Sequence, residues 1–186
     1  MIVTKIERQK KDPDRYSLYL DGAFAVGLRA AVLLRAGLRK GDEVSGETLE
    51  SLRGDEEAGA ARAAALRYAG RRRRTEHEVR TKLASLEFPP VVVEAVVGSL
   101  LDSGVLDDRE YVRAYIHDTQ MRRPAGPRMI AFRLRSKGIP PGLLREEIES
   151  VLGPADELPL AEGLARRYDA RLTRRKAAGR ALVPGE

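Results

Sequence analysis

The feature that most constrains this chain is an internal repeat. Glu78-Val79-Arg80-Thr81-Lys82-Leu83 runs on to Phe88-Pro89-Pro90, and Met129-Ile130-Ala131-Phe132-Arg133-Leu134 runs on to Ile139-Pro140-Pro141. Ile130 stands 51 positions after Val79, and the same offset pairs Leu83 with Leu134, Phe88 with Ile139 and Pro89 with Pro140. It also pairs Val93 with Leu144, Val97 with Ile148, Leu100 with Val151 and Leu101 with Leu152. Apolar positions match while polar ones drift, as expected when only a buried face is constrained. A period of this size marks stacked helical modules, which offer surfaces to partners more often than they enclose pockets.

The predicted fold class is therefore mainly α, with tandem three-helix modules behind a small N-terminal strand and hairpin segment. Ile2, Thr4 and Ile6 alternate, as do Tyr16, Leu18 and Leu20. Asp21-Gly22 then separates them from Phe24 and Val26, a short-range hairpin signal. Residues 29–36 read as a short helix stopped by Gly37. A second short helix is expected over 45–52, and the acidic, glycine-flanked stretch 54–59 reads as a hinge. The segment boundaries that follow are 1–54 for the N-terminal part, 60–104 for the first module and 107–153 for the second. In the first module, Thr75 with Glu78 makes a capping box, each side chain satisfying a free N–H of the other residue. Asp107 with Glu110 repeats the pattern in the second, and Gly126-Pro127 opens its middle helix where the missing N–H costs nothing. Leu160, Leu164, Tyr168 and Leu172 suggest the first helix of an incomplete third module over 157–173, with Arg166 and Arg167 between them. A basic flexible tail is expected over 174–186.

Charge and composition narrow the function. The formal net charge is +6 and the pI about 9.8, which favours an anionic partner, either nucleic acid or an acidic protein surface. Arginine greatly outnumbers lysine; a GC-rich genome gives the same bias, but the Arg fork also grips phosphate and carboxylate bidentately. The absence of cysteine excludes disulfides and thiolate metal sites. No apolar run approaches the ~20 residues of a spanning helix, and Met1-Ile2-Val3-Thr4-Lys5 has no signal-peptide layout. The reading is a soluble, cytoplasmic protein and a monomer.

Catalytic and metal candidates are weak. His77 and His117, the two histidines, fall on different helices and in no HExxH pattern, so they read as surface residues. Asp107-Asp108 is better explained by capping and the helix dipole than by metal or acid–base work. No P-loop, GxGxxG or GxSxG occurs, and no nucleophile–base constellation. No catalytic residue, metal site or cofactor is expected, and no enzyme. The basic residues are more informative: between 119 and 145 there is no Asp or Glu. That window carries Arg122, Arg123, Arg128, Arg133, Arg135, Lys137 and Arg145; the corresponding part of the first module carries Arg71, Arg72, Arg73, Arg74, Arg80 and Lys82. A charge run is commonly just a solvated face, but its recurrence in both modules marks these residues, Arg145 aside, as the candidate partner-binding surface.

At this level the chain resembles the RecX family, regulators of the RecA recombinase, over about residues 1–172. The likeness lies in Ile2-Val3-Thr4-Lys5-Ile6, Tyr16-Ser17-Leu18-Tyr19-Leu20-Asp21-Gly22 and Gly37-Leu38-Arg39-Lys40-Gly41. Its core is Leu106-Asp107-Asp108-Arg109-Glu110-Tyr111-Val112, then Gly126-Pro127-Arg128-Met129-Ile130 and Leu134-Arg135-Ser136-Lys137-Gly138-Ile139. The resemblance implies a curved array of three-helix modules, usually three, seated in the groove of the RecA–DNA filament. It implies lower RecA ATPase, strand-exchange and coprotease activity. The departure is the third module, of which only one helix is recognisable. A direct DNA-binding protein of helix-turn-helix-like modules, contacting single- or double-stranded DNA, is the alternative. A tandem helical adaptor for another acidic protein is the third reading.

Overall fold

The computed structural model describes residues 1–153 and, within a helical stretch further on, residues 162, 163, 165, 166, 168–171, 173 and 174. Leu160, Leu164, Arg167 and Leu172 of the expected third-module helix lie outside the described residues, as does the expected tail beyond Arg174. Tyr168 and Arg166 are helical and exposed. The chain divides into two compact units: Met1–Arg72 with Val79–Val105, and Arg73–Glu78 with the residues from Leu106 onward.

The first unit opens with a three-stranded antiparallel sheet in sequence order, β1 (Val3–Arg8), β2 (Arg15–Leu20) and β3 (Ala23–Arg29). Asp21 and Gly22 both take positive φ, 50° and 86°, as a tight two-residue hairpin turn requires. Alternation puts Leu18 and Leu20 inward, where Val3, Leu28, Val32, Val44, Leu49 and Leu52 complete an aliphatic core. Helix α1 (Ala30–Ala36) ends where Gly37 adopts φ 65° and its N–H reaches back to the carbonyls of Leu33 and Leu34.

The sequence reading fails at the next element. Ser45 caps a helix as expected, its Oγ accepting from the N–H of Thr48 at 3.0 Å. That helix, α2 (Gly46–Ala69), continues through 54–59 without a hinge. Two helical glycines cost about 1 kcal/mol each relative to alanine, and tertiary contacts outweigh them. Glu56 is buried, and its carboxylate accepts from Arg15 at 3.1 Å and from the backbone N–H of Arg29 at 2.7 Å, while Arg29 Nη1 pairs with it at 3.2 Å and donates to the Glu56 carbonyl. Gly59 leaves room for this clamp, since a Cβ there would lie 3.2 Å from Arg29 Nη1. The 54 and 60 boundaries drawn from sequence therefore fall inside one 24-residue helix.

Helices α3 (Glu76–Ala84) and α4 (Pro90–Asp102) follow. In the first unit α2 packs on α4, with Ala61, Ala64 and Ala65 buried on one and Val93, Val96, Val97 and Leu100 on the other. The second unit contains α5 (Asp108–Arg122), α6 (Pro127–Arg135) and α7 (Pro141–Val151). Its core joins Tyr111, Val112, Ile116, Ile130, Leu134, Ile139, Leu144 and Ile148.

The repeat holds at the level of single hydrogen bonds. After α3, the N–H groups of Leu86 and Phe88 reach the carbonyl of Leu83 at 3.0 and 3.4 Å, with Glu87 between them at φ 62°. After α6, those of Lys137 and Ile139 reach the carbonyl of Leu134 at 3.0 and 3.3 Å, with Gly138 at φ 78°. Both windows then start their last helix on proline. Val79 and Ile130, and Leu83 and Leu134, are wholly buried at matching positions. Not every pairing matches in burial: Leu100 is buried whereas Val151 is exposed at the end of α7, and Phe88 is half-buried whereas Ile139 is buried.

Candidate partner-binding surface

Helix α6 is the centre of the basic region. Ile130 and Leu134 fall one turn apart and seal against the core of the second unit, which leaves Arg128, Met129, Phe132, Arg133 and Arg135 on the outside. Arg133 and Arg135 also sit in the last turn, where cations complement the exposed carbonyls. Arg122 and Arg123, at the end of α5, are exposed as well. Among the described residues these five arginines have no ion-pair partner.

The other basic residues expected to bind a partner divide into several groups. Arg71, Arg72 and Arg73 are exposed in the segment before α3, and Arg73 pairs with Glu110 at 3.2 Å. Arg74 is nearly buried, within 4.0 Å of Glu78, and Lys137 meets the same carboxylate at 3.0 Å. Arg80 pairs with Glu94, and Lys82 is half-buried. The charge of Arg74, Arg80 and Lys137 is thus met by carboxylates of the chain itself. The sequence could not show this, because Lys137 and Glu78 stand far apart in it. Arg71, Arg72, Arg80 and Lys82 belong to the first unit and the exposed arginines of α5 and α6 to the second.

The capping box at Thr75 forms as expected. Thr75 Oγ1 accepts from the N–H of Glu78 at 3.1 Å, and Glu78 Oε2 accepts from the N–H of Thr75 at 3.4 Å. The Thr75 hydroxyl also donates to the carbonyl of Lys137 at 2.8 Å. Only half of the second box forms. Asp107 accepts from the N–H of Glu110 at 3.0 Å, but the Glu110 carboxylate turns to Arg73. Asp108 instead accepts from the N–H of Glu76 at 2.9 Å, at the start of α3. Burial raises its carboxyl above the usual range, aided by the nearby Glu76, Asp107 and Glu78 charges and opposed by that hydrogen bond.

One carboxylate in the same unit went unnoticed in the sequence. Glu147 is 1% exposed, and Arg109 Nη1 and Arg113 Nε each donate to it at 2.5 Å. The hydrogen bond from Arg113, followed by that from Arg109, holds its carboxyl below the usual range against the opposing effect of burial. Its signal was present: an acidic residue beside Ile148 at core spacing from Leu144. Phe132, 71% accessible beside the arginines of α6, was also not singled out in the sequence. His77 and His117 are exposed, and no cluster of three potential metal ligands occurs among the described residues.

Comparison with known proteins supplies the family. The regulatory protein RecX N-terminal domain matches residues 1–45, the first three-helix domain of RecX matches 61–100 and the second matches 107–147. The chain belongs to the RecX family. Regulatory protein RecX of Lacticaseibacillus paracasei is 32% identical over 149 residues, covering 80% of this chain and 62% of its own. Regulatory protein RecX of Bacillus subtilis is 30% identical over 148 residues, covering 80% and 56%. The chain thus spans under two thirds of the length of these RecX relatives. The crystal structure of a regulatory protein RecX superposes with a TM-score of 0.74 at 29% identity, covering 91% of this chain and 84% of that one. RecX from Lactobacillus salivarius superposes with a TM-score of 0.53 at 28% identity, covering 62% and 77%. Mainly helical architecture with tandem three-helix domains and a small N-terminal sheet is therefore the RecX fold. No helix among the described residues is long and apolar enough to cross a membrane.

Proposed function

We propose that this chain is a non-enzymatic, cytoplasmic regulator that binds the RecA–DNA filament and inhibits or destabilises it. The consequence is lower RecA ATPase, strand-exchange and coprotease activity, with roles in recombination, repair and the SOS response. The observation that carries the reading is the outer face of α6. Arg128, Arg133 and Arg135 are exposed on the face away from the buried anchors Ile130 and Leu134 and have no ion-pair partner among the described residues. Guanidinium forks on a fixed helix suit an anionic groove, because their planar geometry loses little freedom on pairing with carboxylate or phosphate.

The test is RecA ATPase on single-stranded DNA, with and without this protein. Wild type should inhibit, and added salt should weaken the inhibition by screening exposed charge. Reversing Arg128, Arg133 and Arg135 to Glu should keep the helices and raise the half-inhibiting concentration by about tenfold or more. A folded triple variant that inhibits at the wild-type concentration moves the contact elsewhere, most plainly to the hairpin over 16–26.

Direct DNA binding is the second reading, favoured by exposed Phe132 among arginines. An aromatic ring beside cations is the arrangement on which single-stranded bases stack. A salt series separates the readings: binding to bare DNA falls steeply with salt and needs no RecA.

A further inference from the structure

A cleft of about 650 Å³ opens between α6 and α7, wholly within the second unit. Its floor is aliphatic, formed by Ala131, Leu144, Ile148 and Leu152. Its rim carries Arg128 and Arg135 from α6 and Arg145 from α7, against one carboxylate among the described residues, Glu149. All three arginines are exposed, with no ion-pair partner among the described residues. The cleft is thus an apolar trough with a cationic border.

The geometry points to an acidic amphipathic segment of a partner protein as the occupant: aliphatic side chains on the floor, carboxylates on the arginines of the rim. The inference deepens the proposed function and rests on it only for which protein supplies the segment. Two features favour polypeptide over nucleic acid. Among the described residues no aromatic side chain lines the floor, so a base would find no ring there to stack on. Exposed Phe132, the ring that could serve a base, is not among the lining residues. The volume lies in the range that receives several side chains. The three forks match carboxylates bidentately, and Glu149 marks a rim position where the occupant needs a cation or amide. This is recognition of an amphipathic helix by a groove, with anchors one turn apart.

The probe is a fluorescein-labelled helical peptide with leucines at i, i+3, i+4 and i+7 and flanking glutamates. Its controls are a peptide of the same composition with the leucines dispersed, and an oligothymidylate. Fluorescence anisotropy with the full chain should show the patterned peptide binding about tenfold or more tighter than either control, a step of about 1.4 kcal/mol. Arg145→Glu, an exposed change on α7, should weaken it about tenfold, and Ala131→Trp, which fills the floor, should do the same. Equal binding of the dispersed peptide overturns the inference, because charge alone then suffices. So does tighter binding of the oligothymidylate with the same sensitivity to Arg145→Glu, or failure of the patterned peptide to bind. Concentration-dependent dimerisation lost in Arg145→Glu would assign the cleft to a second copy and equally overturn it. The ATPase assay reads the regulatory role separately: a wild-type chain without effect on RecA defeats that role whatever the peptides do.

Discussion

Gly138→Ala is expected to destabilise this protein by about 3 kcal/mol, well beyond an ordinary surface substitution. Gly138 lies in the turn after α6 at φ 78°, where an L side chain adds about 1–2 kcal/mol of strain. A Cβ there would also lie 2.3 Å from both Cβ and Cγ of His77, against a contact distance of about 3.5–4.0 Å for carbon. Relief demands that the start of α3 move away from the turn after α6. That movement strains the hydrogen bond from the buried Thr75 hydroxyl to the carbonyl of Lys137, 2.8 Å long, and the Lys137–Glu78 ion pair at 3.0 Å. A buried hydroxyl that loses its partner costs about 1–3 kcal/mol. Alanine recovers about 0.5–1 kcal/mol through the smaller freedom of its unfolded chain. The assay is urea unfolding followed by circular dichroism, read as a lower midpoint at unchanged slope. Adding His77→Ala should not rescue the variant, because the His77 Cβ remains. Adding His77→Gly should recover the steric part, measured in a double-mutant cycle that removes the cost of the helical glycine itself. The matching residue of the first window, Glu87, holds φ 62° with a side chain in place, so Glu87→Gly should be neutral or stabilising by up to about 1 kcal/mol. A Gly138→Ala cost no greater than about 1 kcal/mol would falsify the contact with His77 and leave backbone strain as the whole effect.

The remaining predictions address the core, α2 and pH. Leu83→Ala and Leu134→Ala, both wholly buried at equivalent positions, should each lower stability by about 2–5 kcal/mol; unchanged melting temperatures in both would contradict the core assignment. Gly54→Ala should stabilise by about 1 kcal/mol, since the residue is helical and its new Cβ meets nothing within 4 Å; no gain on urea unfolding would restore the hinge. The Asp108 carboxyl is raised in the folded state, so the fold binds more protons than the unfolded chain just above the ordinary aspartate range. Its contribution therefore grows as pH falls through that window and is lost as pH rises. Asp108→Asn keeps an oxygen for the Glu76 N–H and should raise the neutral-pH melting temperature while flattening this dependence. A larger acid-side gain in the variant than in wild type would refute it. Glu147 acts with the opposite sign: its carboxyl is lowered, so its contribution is present above the ordinary glutamate range and lost in acid.

Much of the fold was legible in the sequence because its signals are local. The Asp21-Gly22 turn, the Gly37 stop, the Thr75–Glu78 box and Pro127 at a helix start each act within a few residues. The 51-residue repeat then extended that reading, since buried apolar positions recur wherever one module is used twice. Glycine and acidic residues over 54–59 also signal locally, and there the local signal was overruled. The clamp on Glu56 comes from Arg15 and Arg29, which the sheet carries to α2. The candidate surface followed the same rule. Composition identified a cationic stretch, and helical spacing placed Arg128, Arg133 and Arg135 outside Ile130 and Leu134. Only tertiary structure decided which charges remain available. Arg74 and Lys137 share the Glu78 carboxylate, and Arg109 and Arg113 close over Glu147. An ion pair depends on distance in space, and a charge count along the chain contains no such distance.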